Sequence, residues 1–191
     1  MSQENRLRKL TPEELGRLSI EEYKAAAKFP LRILLDNIRS RYNVGSLLRS
    51  ADAFRVERVY LGGFTPAPPH PEIHRSALGA EESVVWEVCR DPLPVIEKLR
   101  KEGWIVIALE HTNQSVSLWE LEWPSPPWLF IVGNELTGVQ EPLLELSDRV
   151  VEIPQFGTKH SLNVAVAGGI VMYEAAKRLR DAGFFHTELH Q

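Results

Sequence analysis

Six short apolar runs rich in β-branched and aromatic residues recur along this chain, and helical patterns separate several of them. The runs cover residues 31–36, 58–63, 83–88, 104–110, 128–133 and 149–154. The helical patterns cover residues 44–55, 92–102 and 161–181. Parallel strands need long crossovers, usually helices, so strands that alternate with helices favour a parallel sheet. The sequence therefore predicts an α/β fold with a mainly parallel six-stranded sheet flanked by helices.

A short helical extension is expected before the sheet. Thr11 and Ser19 each stand three residues before a glutamate, Glu14 and Glu22, which is the spacing of a capping box at a helix start. We therefore divide the chain into an extension over residues 1–30 and a main domain over residues 31–191. The sequence leaves open whether the extension only packs on the core or also contacts a partner.

The cysteine content and the hydropathy of the chain narrow its class. Among 191 residues Cys89 is the only cysteine, so a disulfide framework is excluded and a cytoplasmic protein is expected. No stretch approaches the roughly 20 apolar residues of a membrane span. His70 and His74 lack a third ligand at a suitable spacing, so we expect no metal site.

The charges are distributed unevenly. Residues 1–75 hold 13 basic and 9 acidic side chains, whereas residues 76–191 hold 9 basic and 17 acidic ones. Although the net charge of the whole chain is −4, residues 1–75 therefore carry a net positive charge. Such an asymmetry can mark a face that binds an anionic partner, and it is equally typical of solvated surface.

Polar residues follow four of the predicted strands. They are Asn37 and Arg39, Glu110 and His111, residues 133–135, and the loop around Ser161. Ligands of open parallel sheets bind at the carboxyl ends of the strands, so these residues predict a pocket there. The glycine-rich fingerprints of dinucleotide sites and of P-loops are both absent from the sequence, so the pocket is of another type.

Three segments together resemble the ordered motifs of a known family. They are LDNIRSRYNVGSLLRSADAF (35–54), FIVGNELTGV (130–139) and VEIPQFGTKHSLNVAVAGGIVMYEA (151–175). They resemble the SpoU, or TrmH-type, RNA 2′-O-ribose methyltransferases of the trefoil-knot superfamily, which use S-adenosyl-L-methionine. The similarity extends over residues 31–180, with Gln155 where methionine is common and Ala165 where a small polar residue is frequent.

The resemblance implies methylation of a ribose 2′-hydroxyl in tRNA or rRNA. It also implies a C-terminal trefoil knot and a homodimer built on the 161–181 helix, where the small residues Ala165, Ala167, Gly168 and Gly169 permit close approach. A non-catalytic RNA-binding or ribosome-assembly factor on the same fold is the alternative.

The resemblance also assigns roles to individual residues. The implied catalytic set is Asn43, Arg49, Glu135, Ser161 and Asn163. The implied cofactor-binding residues are Leu109, Glu110, Val132, Gly133, Asn134, Glu135, Gly138, Ile153 and Leu162. The expected RNA contacts are Arg6, Arg8, Lys9, Arg39, Arg41 and Arg49.

Three of these roles stay open at the level of sequence. Asn43 precedes an apolar-periodic stretch and is also a candidate helix N-cap, with Arg49 expected to face nearly the same way. Deprotonating an arginine at neutral pH costs about 7–9 kcal/mol, so Arg49 is either an unusual base or a cation that orients the hydroxyl. Glu135 either accepts hydrogen bonds from backbone N–H groups, or contacts the cofactor or takes part in a hydrogen-bond network.

Overall fold

A seven-stranded parallel sheet forms the centre of the computed structural model, which describes residues 7–11 and 13–184. The strands are β1 Phe29–Asp36, β2 Val56–Gly62, β3 Trp86–Cys89, β4 Ile105–Leu109, β5 Val116–Ser117, β6 Trp128–Val132 and β7 Arg149–Glu152. Their order is β3-β2-β1-β6-β4-β7-β5, and every neighbouring pair is parallel. The predicted α/β fold with a parallel sheet is therefore confirmed.

The predicted number of six strands is wrong. The additional strand, β5, has only two residues and pairs with the end of β7 at one edge of the sheet. A strand this short carries no alternation that a sequence could reveal. The third strand also begins later than predicted, because residues 80–83 form a helical turn that ends at Ser83.

Seven helices connect these strands within the described residues. They are α1 Ile20–Ala25, α2 Arg41–Ala53, α3 Pro71–Ala77, α4 Ala80–Ser83, α5 Leu93–Lys101, α6 Glu141–Glu145 and α7 Val164–Asp181. The three predicted helical patterns correspond to α2, α5 and α7, and no bound differs by more than three residues. The short helices α3, α4 and α6 were not predicted, because their sequences show no apolar period.

The starts of α2 and α7 differ from the prediction. Ser40 is the N-cap of α2, and its hydroxyl oxygen accepts a hydrogen bond from the backbone N–H of Asn43. The expectation that Asn43 caps this helix is therefore wrong, because Asn43 already lies in the first turn. Asn163 caps α7, accepting hydrogen bonds from the backbone N–H groups of Ala165 and Val166.

Where the structure describes it, over residues 7–11 and 13–30, the N-terminal extension forms one helix rather than two. Ser19 and Glu22 make the reciprocal bonds of a capping box at the start of α1. Thr11 and Glu14 exchange the same two bonds, but only a turn follows because Gly16 adopts a positive φ of 56°. The buried Tyr23 packs α1 against the core.

Two apolar layers cover the two faces of the sheet. Alternate residues of β6 point to opposite sides, so that Phe130 joins one cluster while Leu129 and Ile131 join the other. The first layer includes buried residues of α2, α3 and α7, and the second includes those of α5 and α6. This packing leaves the carboxyl ends of β4, β6 and β7 open to ligands. No helix in the described part of the chain is both long and apolar enough to span a bilayer.

Candidate active site

A pocket of about 350 Å³ lies at the carboxyl ends of β4, β6 and β7. Its volume falls within the roughly 300–1,000 Å³ of small-molecule sites. All nine residues that the resemblance assigned to the cofactor line it: Leu109, Glu110, Val132, Gly133, Asn134, Glu135, Gly138, Ile153 and Leu162. His111 and Ser161, which were expected at this pocket because they follow strands, also line it, and seven lining residues were not predicted: Leu136, Thr137, Glu152, Gln155, His160, Val164 and Ala167. Those near strand ends carried a positional signal, whereas Val164 and Ala167 belong to α7.

Two glycines shape the turn that follows β6. Gly138 has a φ of +72°, and a Cβ there would lie 2.1 Å from a carboxylate oxygen of Glu110. A Cβ on Gly133 would lie 2.2 Å from the backbone of Gly138. Asn134 closes the turn by exchanging two backbone hydrogen bonds with Gly138, at 2.9 and 3.0 Å. Gly133 is therefore required by close backbone approach, and Gly138 by its positive φ and its contact with the Glu110 carboxylate.

Glu110 joins the turn after β4 to the turn after β6. One carboxylate oxygen accepts a hydrogen bond from the backbone N–H of Val139 at 2.9 Å, and the other accepts one from the N–H of His111 at the same distance. Glu152 lines the same pocket and accepts a hydrogen bond from the Ser115 hydroxyl. That bond, followed by the contact with His111, lowers the pKa of Glu152.

Glu135 joins the turn after β6 to the start of α2. Its carboxylate accepts hydrogen bonds from the backbone N–H groups of Arg39 and Ser40, at 2.8 and 3.0 Å, and from the Asn43 amide at 2.9 Å. Burial raises the pKa of Glu135, but these three bonds together outweigh burial and lower it. Glu135 is therefore held as an anion that fixes the first motif against the second.

Asn43 extends this connection to the third motif. Its amide oxygen accepts a hydrogen bond from the Asn163 amide at 3.1 Å. Asn163 in turn caps α7, and the neighbouring Ser161 lines the pocket. The chain Glu135–Asn43–Asn163 thus brings four of the five predicted catalytic residues, with Ser161, to one edge of the pocket.

One buried carboxylate, Asp36, was not among the predicted site residues. Asp36 ends β1 and accepts hydrogen bonds from the backbone N–H and the side-chain amide of Gln140, at 2.8 and 2.6 Å. Burial raises the pKa of Asp36, although these bonds oppose the rise. An acidic residue at the end of a largely apolar strand was the available signal.

Arg49 is not part of this pocket. Its exposed side chain lines a second cavity, of about 700 Å³, between the N-terminal extension and helices α2, α3 and α4. The expectation that Arg49 and Asn43 face the same way is wrong, because six residues along an α-helix place two side chains about 120° apart. Within one chain, Arg49 and the first pocket are separate.

The other predicted RNA contacts are spread over the surface. Arg8 forms an ion pair with Glu14, Lys9 is exposed, and Arg39 is exposed next to the start of α2. Arg41 lies 3.7 Å from Glu72. Arg6 lies outside the described residues.

The pocket has the chemistry of a site for an organic cation. Apolar side chains such as Leu109, Ile153 and Leu162 alternate with the carboxylates of Glu110, Glu135 and Glu152. Over residues 7–11 and 13–184, no group of three His, Cys, Asp or Glu side chains is arranged to hold a metal ion.

Comparison with known proteins places the chain in a family. Residues 30–173 match the SpoU rRNA Methylase family. The chain belongs to this SpoU family. It is 30% identical over 156 residues to the tRNA (guanosine(18)-2′-O)-methyltransferase of Aquifex aeolicus, which covers 81% of this chain and 72% of that protein.

Solved SpoU structures have the same fold. The A. aeolicus TrmH/SpoU tRNA modifying enzyme superposes with a TM-score of 0.76 at 26% identity, over 86% of this chain and 84% of that one. The SpoU methyltransferase AviRb from Streptomyces viridochromogenes, solved in complex with the cofactor AdoMet, superposes with a TM-score of 0.73 at 25% identity. That superposition covers 84% of this chain and 64% of AviRb.

Proposed function

We propose that this SpoU protein transfers a methyl group from S-adenosyl-L-methionine to a ribose 2′-hydroxyl of tRNA or rRNA. The observation that carries the proposal is the pocket at the ends of β4, β6 and β7, with the Glu135–Asn43–Asn163 chain at its edge. A tRNA 2′-O-methyltransferase among the relatives and an AdoMet-bound SpoU structure support the same reaction.

The pocket residues fit the cofactor by charge and by shape. The apolar side chains suit its adenine and methyl carbons, and the three carboxylates favour its positive sulfonium centre. When bound, the cofactor supplies an electrophilic methyl group. Backbone groups of the three turns would hold it, because Gly133 and Gly138 let the turn after β6 close against itself and against Glu110.

The polar edge of the pocket orients the nucleophile. Asn43, Ser161 and Asn163 provide amide and hydroxyl groups next to the cofactor position, where they align the ribose 2′-hydroxyl with the methyl carbon. The proton of this hydroxyl would leave to water or to a neighbouring base. Arg49 binds an RNA phosphate through its planar guanidinium and fixes the ribose through it.

A homodimer through α7 completes this site. Val166, Ile170 and Tyr173 are exposed at a spacing of three to four residues, so they form an apolar stripe along one face of the helix. A stripe of this kind normally packs against another surface. A second copy, related by two-fold symmetry, buries it against itself.

A trefoil knot accounts for the path of the C-terminal segment. β7 lies between β4 and β5, although β4 and β5 follow each other in the chain. The segment after β7 runs beside the one after β4, with Gln155 3.0 Å from His111. A crystal structure that traces residues 104–165 tests the threading.

The extension over residues 1–30 contributes RNA contacts to the domain over residues 31–191. Tyr23 packs the extension on the core, while Arg8, Lys9, Arg39 and Arg41 remain near the surface for phosphates. A cytoplasmic location, where tRNA and rRNA occur, suits this substrate and the single cysteine.

Calorimetry with the cofactor and with its demethylated product tests the proposal first. We expect both to bind the wild-type protein, free or with RNA. Leu162→Arg, which puts a cation into the pocket, should abolish binding, whereas Leu18→Arg, at a similarly exposed leucine outside it, should not. Failure of the wild-type protein to bind either molecule contradicts the proposal.

Mapping of 2′-O-methyl groups in total RNA identifies the substrate. Cells with and without the gene are compared, and we expect the loss of one or a few modified positions in tRNA or rRNA. Complementation with the Leu162→Arg variant is the control, because this protein should fold without restoring the modification. Unchanged methylation contradicts the proposed reaction and favours the non-catalytic alternative.

A further inference from the structure

Two large aromatic side chains stand in solvent beside the pocket. Trp119 is 70% exposed and Phe156 is 86% exposed, and their rings stack with centroids 5.9 Å apart and planes inclined by 27°. By contrast, Trp128 belongs to the core, and Trp123 packs against it with its ring tilted to that of Trp128. Burying an aromatic ring stabilises a protein, and two rings left in water lack that stabilisation. An exposed aromatic pair of this size therefore normally marks a binding surface.

The backbone holds Trp119 in this exposed position. The preceding residue, Leu118, is buried and donates its N–H to the carbonyl oxygen of Glu152 at 2.8 Å. The N–H of Trp119 donates to the hydroxyl oxygen of Ser117 in β5, at 3.2 Å. Because Leu118 turns into the core, Trp119 is directed away from it.

Phe156 belongs to the segment that lines the pocket. It follows Gln155, a lining residue whose amide lies 3.0 Å from the ring of His111. Ser161, which also lines the pocket, comes five residues later. The aromatic pair therefore stands at the rim of the pocket, where the segments after β4 and β7 meet.

We infer that Trp119 and Phe156 form a platform on which an unpaired base of the RNA substrate stacks. Proteins that recognise RNA commonly splay single-stranded bases onto aromatic side chains, and every base has a π-face that fits. The inference rests on the proposed function, since it assigns the platform to the RNA that delivers the ribose. The stacked base belongs to the methylated nucleotide or to a nucleotide next to it.

The neighbouring charges favour a base over a phosphate. Glu120 directly follows Trp119 and is exposed, as is Glu122, so this side of the platform repels the RNA backbone. Lys159 is exposed three residues after Phe156, where it can bind the phosphate of the stacked nucleotide. The surface thus presents a flat apolar face with one cation at its margin.

RNA binding by variants tests the platform. Trp119→Ala and Phe156→Ala should each weaken RNA binding by about 5- to 100-fold, the range of one base–aromatic stack. The slope of affinity against salt should stay unchanged, because no phosphate contact is lost. Phe184→Ala removes an exposed phenylalanine at the far end of α7 and should leave RNA affinity unchanged.

Further measurements distinguish RNA from the cofactor and from a second copy of the chain as the molecule that covers the aromatic pair. S-Adenosylmethionine affinity and the sedimentation coefficient should be the same for the wild-type, Trp119→Ala and Phe156→Ala proteins. A loss of cofactor affinity would make the pair part of the cofactor site, and a loss of dimer would make it an interface; either result overturns the platform. RNA should also protect Trp119 from acrylamide quenching, and unchanged quenching contradicts the inference.

The failure of the platform and that of the proposed function are distinguishable. Wild-type methyl transfer at saturating RNA tests the function without reference to Trp119 or Phe156. Normal transfer by the wild type together with equal RNA affinity in both variants overturns the platform alone. The absence of both transfer and RNA binding in the wild type overturns the proposed function and the platform with it.

Discussion

Glu135 shows how one carboxylate can organise a site through its hydrogen bonds to the protein. Its three hydrogen bonds hold the backbone at residues 39 and 40 and the amide of Asn43. The sequence reasoning left two roles open for Glu135, and this geometry supports the network role. Hydrogen bonds to a charged acceptor are worth about 1.5–3 kcal/mol each when neither partner is left unpaired.

Replacing Glu135 by glutamine should therefore lower stability in a pH-dependent way. The pKa of Glu135 is lowered in the folded protein, so its stabilising effect is full above the ordinary glutamate pKa and is lost as the pH falls through the lowered value. We expect Glu135→Gln to cost about 1–3 kcal/mol at neutral pH.

Urea unfolding at neutral pH and at about pH 3 measures this difference. The gap between the wild-type and Glu135→Gln proteins should shrink at the lower pH. Glu97→Gln, on the exposed side of α5, is the control and should change stability little at either pH. A gap that widens on acidification contradicts the assigned network.

Arg49 is predicted to act in transfer and not in cofactor binding. Because its side chain lines the second cavity, Arg49→Ala should leave the affinity for S-adenosylmethionine unchanged. It should remove most of the single-turnover rate at saturating RNA and cofactor. Arg49→Lys should rescue poorly, since a point charge cannot reproduce a planar two-pronged grip on phosphate.

Single-turnover methyl transfer checks this prediction, and Arg8→Ala provides the comparison. Arg8 is exposed in the extension, so its loss should weaken RNA binding modestly and leave the rate at saturating RNA unchanged. A near-normal rate for Arg49→Ala would remove Arg49 from the catalytic set.

Sequence spacing predicted which residues would meet, but not how they would bond. The strand-end rule correctly placed Glu110, Glu135 and Ser161 at one pocket. The position of Asn43 was misjudged because the apolar period of α2 begins at Val44, whereas hydrogen bonding begins the helix at Arg41. A polar first turn has no apolar residues from which its start could be read.

At the level of elements, two glycines lie where α2 packs closely against α3 and α7. A Cβ on Gly45 would lie 2.4 Å from the backbone oxygen of Ile73 in α3 and 2.1 Å from the Ser76 hydroxyl. A Cβ on Gly168 in α7 would meet only the end of the Leu47 side chain, at 2.4 Å. Gly168 therefore serves packing within the chain, and a large substitution there tests the fold rather than the dimer.

Gly45→Ala should destabilise the protein more than Gly168→Ala. The Leu47 side chain can rotate, so we expect about 1–3 kcal/mol for Gly168→Ala, the usual cost of overpacking. Backbone atoms of α3 cannot move aside without shifting the helix. The gain in helix propensity is the same for both changes and cancels in the comparison. Equal midpoints in urea unfolding would contradict this ranking.

The apolar stripe on α7 gives the dimer prediction. Ile170→Glu places a charge in the proposed interface and should convert the dimer to a monomer at micromolar concentration, measured by sedimentation velocity. Val88→Glu is the matched control, because Val88 and Ile170 are both 38% exposed and Val88 lies on strand β3 at the opposite edge of the sheet. A wild-type monomer, or an Ile170→Glu dimer, contradicts the assigned interface.

At the scale of the whole molecule, the sequence marked the centre of the sheet more clearly than its edges. β6, between β1 and β4, is buried at every position, and its sequence WLFIV is apolar throughout. The two-residue β5 and the insertion of β7 beside it depend on contacts between distant segments. No local pattern encodes such contacts, so the strand order had to come from the structure.

The separation of Arg49 from the pocket predicts that a working site combines two chains. Nothing within one chain brings Arg49 to the edge where Asn43, Ser161 and Asn163 lie, because α2 directs it toward the second cavity. Arg49 does lie next to Ser50, which faces Gly169 near the exposed stripe of α7. In a two-fold dimer through this stripe, Arg49 of one copy serves the pocket of the other.

Mixing two inactive variants should therefore restore methyl transfer. Arg49→Ala retains an intact pocket, and Leu162→Arg retains Arg49, so each mixed dimer contains one complete site. Random exchange of equal amounts of two chains in a symmetric dimer leaves about a quarter of the sites complete. We expect that fraction of the wild-type rate after subunit exchange, and none when Ile170→Glu is added to both chains. If Arg49 instead serves its own pocket, no mixed dimer has a complete site, and the mixture stays inactive although each variant folds.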